Sequence, residues 1–576
     1  MIVRFSGFRI AAHCGLLLCA VLAGPAFAAQ DSHCDYFEAG VKHVYWGDLH
    51  VHTGFSLDAW GYGTVATPRE AYAFARGAPI ELPGGHTVKL DRPLDFMAVT
   101  DHAEWFDLMY ACTDPLWKED PYCTVLTTRN TAATGTEVFA EYVVPTITKA
   151  DPRQTSLCQG DPALCANGSM HQWQRIQRQA HDANAPCTFT SFAAYEWSAT
   201  PDFSHTHRNV IFGSEQVSRE AIDYLRFPTP ERMWRELDRQ CRAEDGCDVV
   251  VIPHNTNMGD GKSFDVETEP ADALALRARF ERLIEIHQEK GNSECLPVFG
   301  TTDEDCGFEV ILNRSSRPTP AAEFSEAEWE RMRGSYVRRL LLRGLYSYAE
   351  SGVNPLQLGI IGSTDNHAAA GGFVEEDQWL GSVFGIGDIE RTMARQTWNP
   401  GGMVGVWAEE NTRSSVFAAL QRREVFATSG PRIKVRISAS PNPLSCDNGA
   451  TGDMVPMGGK LAGGIGAAYF LIEAQYDRIP LQRIELIKGE LRGGELIEEV
   501  VPVWQADDGG LDVCGTWRDA DFDPTAPAFW YARVQEAPTP RWTAARCIAA
   551  DRCDDFPEAR RAIRERAWTS PIWYLP

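Results

Sequence analysis

Apolar residues cluster in this chain into short continuous runs, and five of them stop on a histidine, aspartate or glutamate. The runs close at YWGDLHVHT (His50, His52), LDFMAVTDH (Asp101, His102), CTFTSFAAYEW (Glu196), DVVVIPHN (His254) and LQLGIIGSTDNH (Asp365, His367). Continuous Val/Ile/Leu/Phe runs mark strands buried on both faces, and sheets of that kind carry their chemistry at the C-terminal strand ends. Between Trp46 and about Thr428 these runs alternate with helical stretches such as PREAYAFAR and RMRGSYVRRLLLRGLYSYAE. That alternation predicts βα units and a parallel sheet or barrel.

Two segments interrupt the alternation. Residues 111–185 carry four cysteines and little periodicity, and are expected to form a cross-linked surface insertion beside the site. Residues 255–354 form a second insertion around one more strand-like run, RLIEIHQ. Beyond Ile433 the pattern changes to period-two segments (KVRISA, YFLIEAQY, IELIKGE, ELIEEVVPVW, FWYARVQE), which predict a β-rich, sandwich-like accessory domain over residues 433–576. The glycine-rich MGGKLAGGIG lacks the Lys-Ser/Thr ending of a phosphate loop and predicts a hairpin loop.

The N-terminus places Arg4 and Arg9 before an apolar stretch from Ile10 to Leu22 and an Ala26-Phe27-Ala28 ending, so residues 1–28 are expected to be a secretory leader too short to span a bilayer. Export to the periplasm or medium follows, with the barrel expected over 29–432. Without Cys14 and Cys19, fourteen of the sixteen cysteines remain, an even number that sets seven disulfides as the ceiling. Local candidates are Cys112 with Cys123, Cys158 with Cys165, Cys241 with Cys247, Cys295 with Cys306, and Cys547 with Cys553. The formal net charge of −25 becomes about −27 once both leader arginines are gone. So acidic a chain repels nucleic acid at long range, and no nucleic-acid partner is expected.

His50 and His52, two residues apart at a strand end, leave the same face and can grip one metal or a pair. WGDLHVHT, AVTDHAEW, VIPHN and GSTDNH together, over about Tyr45 to Ile433, resemble the successive motifs of the polymerase and histidinol phosphatase (PHP) superfamily. The ATSGPRI ending is similar to its exported DUF3604-type branch, a family defined by a domain of unknown function. The resemblance implies an α/β fold, a distorted β/α barrel of PHP type, with two or three divalent ions at its rim and phosphoester hydrolysis as the usual reaction. It implies His50, His52, Asp58, His102, Glu196, His207, His254, Asp365 and His367 as metal ligands, Glu196 as the bridging carboxylate, and His205 as the alternative to His207.

Mixed imidazole and carboxylate ligands suit zinc, manganese or iron, and two such cations sharing a water activate it for in-line attack on a small anionic phosphoester. Arg208, beside His207, is the expected phosphate clamp. Asp101 or Asp48 is expected to orient ligand histidines. Glu285 and His287 end a further run and are weighed as rim residues or as structure. Trp46, Trp60 and Trp105 are weighed as a wall around an organic leaving group or as core. Thr428 and Ser429 have no base beside them and no GxSxG occurs, which disfavours a serine hydrolase. Hydrolysis of a sulfate ester, amide or lactone, and metal-stabilised binding without catalysis, are the competing readings.

Overall fold

The computed structural model describes residues 33–576 apart from 114–116, 118, 129, 132–133, 151–155, 265, 298–302, 312–323 and 448–453. The leader expected at 1–28 lies outside the described residues.

The expected site runs all become strands or the turns that follow them. They are β1 (His43–Asp48), β2 (Phe96–Ala98), β3 (Thr190–Trp197), β4 (Arg208–Phe212), β5 (Val249–Pro253), β6 (Leu283–Gln288), β7 (Gly359–Gly362), β8 (Met403–Ala408) and β9 (Val425–Thr428). Every residue of β3, β5 and β6 is buried, as their unbroken apolar text requires.

The sheet is mixed rather than parallel. Strands β1, β2 and β3 are parallel neighbours, but β4 runs antiparallel to β3 and β5, and β8 antiparallel to β1 and β9. Ten residues separate Trp197 from Arg208, too few for a crossover helix, so the chain can only return antiparallel. β6 and β7 pair with each other in a separate three-stranded sheet that also takes Gly291–Asn292, so the ladder describes a mixed α/β molecule with one large sheet.

The large sheet continues into the C-terminal region. Seven further strands are β10 (Lys434–Ser440), β11 (Tyr469–Gln475), β12 (Leu481–Arg492), β13 (Glu495–Gly510), β14 (Asp512–Arg518), β15 (Ala528–Glu536) and β16 (Arg566–Thr569). β16 joins β9 on one side and β15 on the other, so the large sheet takes strands from both sides of residue 433. β10, β11 and β14 form a second layer whose Val435, Ile437, Phe470 and Ile472 share a core with Trp530, Ala532 and Val534 of β15. Each Val, Ile or Phe among them contributes about 1.5–3 kcal/mol when fully buried.

Within the first insertion, the stretch from Pro162 to Ala183 is a helix capped by Asp161, which accepts from Leu164 N–H. Trp173, Ile176 and Ala180 lie buried on it, making it the crossover onto β3 instead of part of a surface excursion. The second insertion is tied to the C-terminal strands by a buried ionic knot. Arg338 reaches Glu294 (2.7 Å) and Asp303 (2.8 Å), Arg533 reaches Asp303 (3.0 Å), and Tyr531 and Trp568 each donate to Glu294 at 2.8 Å. Loss of one partner would strand a buried charge, at about 3–5 kcal/mol.

All fourteen described cysteines are paired. The five local candidates form as expected, and Cys34–Cys187 and Cys446–Cys514 complete seven disulfides. Among the described residues no helix is long and apolar enough to cross a membrane. The disulfide density is consistent with an extracellular or periplasmic protein.

Candidate metal centre

Glu196, the last inward residue of β3 before Trp197, stands at the middle of the site and is almost fully buried. One carboxylate oxygen meets His207 Nδ1 (2.7 Å), His102 Nδ1 (3.4 Å) and His254 Nε2 (3.5 Å). The other meets His50 Nε2 (3.1 Å) and His52 Nε2 (3.2 Å). Asp365 lies opposite, with Oδ1 3.2 Å from both His50 Nε2 and His52 Nε2. Asp58 closes the third side at 3.2 Å from His102 Nε2 and from His367 Nε2. All nine expected ligands therefore gather in one pocket. His205 stacks on His207 with ring centroids 4.8 Å apart and makes no approach to Glu196 within 4 Å.

The backbone explains the convergence. His50 and His52 leave one face of the extended segment after β1, because side chains two apart in a strand share a face. His102 pairs with Glu196 in an isolated parallel bridge, and Val51 with Asn366 in another, so four chain segments meet at one level. Asp365 sits at φ 56, a left-handed conformation that aspartate tolerates better than most residues.

A hydrogen-bonded layer aims the rings. Glu285 binds His50 Nδ1 at 3.0 Å, which turns Nε2 inward. The hydroxyl of Ser56 gives its proton to Asp101 (2.8 Å), so at 2.9 Å it accepts from His52 Nδ1–H and leaves Nε2 as the free lone pair. Asp101 thus positions His52 through Ser56. Asp48 touches no ring; it holds Thr364 and the Gly372 N–H (2.9 Å), fixing the loop that carries Asp365.

Electrostatically the cluster is built for cations. Burial opposes ionisation of Glu196, but the imidazoles of His102, His254 and His207 outweigh it and hold the carboxyl well below the usual range. Asp365 is held down against burial by His50 and Lys290, and Asp58 by His102 and His367. Burial, joined by His367 and His102, pushes His52 down to about 4, and burial pushes His207 to about 4. At the other three rings burial is outweighed by neighbouring carboxylates, which raise His50 and His102 well above the usual imidazole value and His367 to about 9. Those three rings hold protons against Asp365, Glu285, Glu196 and Asp58, and metal binding would release them. Neutral imidazole and ionised carboxylate are the forms that bind metal. Three donor sets, His52–His102–His367, His50–Glu196–His254 and His50–His52–Asp365, each have ligand atoms within 4.8 Å of one another. His52 Nε2, His254 Nε2 and Asp365 Oδ1 are buried, and their approaches of 3.2–3.5 Å to one another and to Glu196 lack hydrogen-bond geometry, an arrangement disfavoured unless a cation takes the lone pairs. The residues present fit divalent ions.

One expectation needs correction, and several open readings resolve. Arg208 is wholly buried and faces away: it binds Glu281 at 2.7 Å and the Ser263 carbonyl at 2.9 Å, so it cannot clamp a phosphate. Trp46 packs in the core, Trp60 donates to the Leu126 carbonyl, and of the three tryptophans Trp105 lines the cavity. His287 packs between Phe308 and Trp568 away from the cluster. Ser429 is buried and donates to Glu565. The sequence reading passed over Glu289, Lys290, Arg395 and Trp398, all of which line the cavity. Lys290 contacts Asp365 and lies 5.7 Å from the Trp398 ring centre, and the only signal for it was its place two residues past a buried strand.

The cavity over the cluster measures about 340 Å³. Its far wall is apolar, with Phe139 and Val143 from the first insertion facing Phe384 and Trp398.

Residues 39–512 and 503–576 match the family model described as protein of unknown function (DUF3604). The chain belongs to the DUF3604 family. No curated protein matches it. Among solved structures, this DUF3604 protein is similar to a two-domain protein from Bacteroides vulgatus containing a predicted PHP-like metal-dependent phosphoesterase, at 11% identity and a TM-score of 0.31, with 84% of this chain and 99% of that one covered.

Proposed function

We propose that this protein is an exported metal-dependent hydrolase, and that its reaction is hydrolysis of a small phosphoester. The observation that carries the reading is the convergence of three buried donor sets on Glu196 and Asp365, with lone pairs that no protein donor satisfies. His50, His52, His102, His207, His254, His367, Asp58, Glu196 and Asp365 would hold two or three divalent ions, zinc, manganese or iron. Bound there, such cations supply Lewis acidity and lower the pKa of a water. The chain's own residues do the rest. Glu285 and the Asp101–Ser56 pair fix the imidazoles, and Lys290 and Arg395 place positive charge where an anionic ester enters. Trp105, Phe139, Phe384 and Trp398 exclude water and seat an organic leaving group.

Residues 29–432 form the hydrolase core in this reading and residues 433–576 an accessory region whose strands brace it. The test is metal analysis of the purified protein followed by a phosphoester panel, with His50→Ala and Asp365→Ala as controls. Chelator-sensitive phosphate release, lost in both variants, is expected. Equal release from wild type and both variants would remove the site from the reaction. A sulfate-ester, amide and lactone panel on the metal-loaded protein separates phosphoester hydrolysis from its neighbours.

A further inference from the structure

A second cavity, of about 210 Å³, opens at the opposite end of β6 from the metal centre. Lys290, two residues past the end of β6, lies in the metal site; Arg282, the residue before it, lines this other cavity. Six strand residues set the two ends roughly 20 Å apart. Arg423, which caps the helix Arg413–Arg422 just before β9, faces Arg282 across the cavity, and exposed Lys460 joins them.

The cations here lack counter-ions. Arg282 donates from Nη2 to the Gln421 carbonyl at 3.1 Å, and its Nε is buried with no partner. Arg423 Nε is likewise buried and unsatisfied. Glu281 also lines the cavity, but its two oxygens are taken by Arg208 (2.7 Å) and Arg277 (2.6 Å). Burial first, and then the Arg282 guanidinium, presses Arg423 down to about 9. A guanidinium scarcely gives up its proton, so the strain persists as repulsion between two half-hidden charges. In a chain of formal charge −25, with 79 acidic residues available, two adjacent arginines without a carboxylate are a departure that a ligand would explain.

We infer that this cavity is a binding site for a compact oxyanion, a phosphate or similar group either free or carried on a small molecule, gripped by Arg282 and Arg423 with Lys460 at the mouth. Forked N–H donors match tetrahedral oxygens, and Asn354 and Gln357 supply further polar surface around them, while the Tyr348 hydroxyl donates to the Pro576 oxygen at 2.6 Å. The site is independent of the hydrolase reading and shares no residue with the metal centre.

The test is calorimetric titration of the full chain with inorganic phosphate, sulfate and glycerol phosphate, in the presence of chelator and in the His50→Ala background so that the metal centre does not contribute. One equivalent of anion is expected to bind, and the Arg282→Gln/Arg423→Gln pair is expected to weaken it by at least about tenfold, a loss of about 1.4 kcal/mol. Preference for glycerol phosphate over inorganic phosphate identifies a carried group, and the reverse a free ion. Arg423→Gln alone is expected to raise the melting temperature in anion-free buffer and to abolish the further rise with phosphate. Should that variant not fold, Lys460→Ala, at an exposed residue, reads the same site through a several-fold loss of affinity. Absence of binding at millimolar anion, or binding unchanged in the arginine pair or in Lys460→Ala, would overturn the proposal.

Discussion

Glu196 and Glu565 are almost equally hidden from water, and their neighbours push the two carboxyls in opposite directions. Glu196 faces five imidazoles, of which His102, His254 and His207 hold it ionised against burial. Glu565 is pushed up to about 8 by burial; the Ser429 hydroxyl opposes this, and Glu536 and Glu309 add to it. Glu536 is raised to about 8 as well, by burial and then by Asp477 and Glu375. Burial therefore fixes neither outcome. The neighbours' charge decides whether a hidden carboxyl keeps a proton or is free for a cation.

The largest effect should come from Glu196→Gln. Losing the carboxylate charge shared by both halves of the site is expected to empty it of tightly bound metal by elemental analysis and to lower hydrolysis on the order of 10³-fold, because transition-state charge stabilisation by a cation is worth several kcal/mol. Retained metal in that variant would break the contrast. Glu285→Gln, which only slackens the His50 ring, is expected to weaken metal affinity by about 10–100-fold in a chelator competition. Arg395→Ala leaves the metal in place and is expected to raise KM for an anionic ester several-fold with kcat little changed, consistent with a charge-assisted contact worth about 1.5–3 kcal/mol.

The Glu565 side is sharpened by pH. Its native carboxyls titrate near 8 and the unfolded ones near 4.5, so between those values the native state holds protons that the unfolded chain has released. That contribution to stability is complete below about 4.5 and is lost as pH rises to about 8. Glu565→Gln is expected to flatten this fall in a series of melting curves while leaving metal content untouched. An unchanged slope would mean that Glu565 is ionised at neutral pH.

Strand existence and the donors at strand ends were legible because unbroken apolar text and a terminal His, Asp or Glu coincide, as in FAAYEW and GIIGSTDNH. Arg208 was misread for the same geometric reason that places His50 and His52 side by side: alternate residues of an extended chain share a face, and adjacent ones do not. Next to inward His207, Arg208 had to point the other way. Lys290 and Arg395 carry no such periodic mark, since a charge after a strand or helix reads as a turn. The continuity of β9 with β16 was hidden too, because more than 130 residues separate Thr428 from Arg566 and only tertiary pairing joins them.

Asp365 is bound by two demands at once, an anionic oxygen and a left-handed backbone. Glutamate meets the first and glycine the second; asparagine keeps the shape and discards the charge. A one-atom exchange at this position should therefore yield a protein that folds, pairs its cysteines and accumulates normally yet is chemically silent. Under the proposed hydrolase reading, that single atom separates the folded protein from the working one.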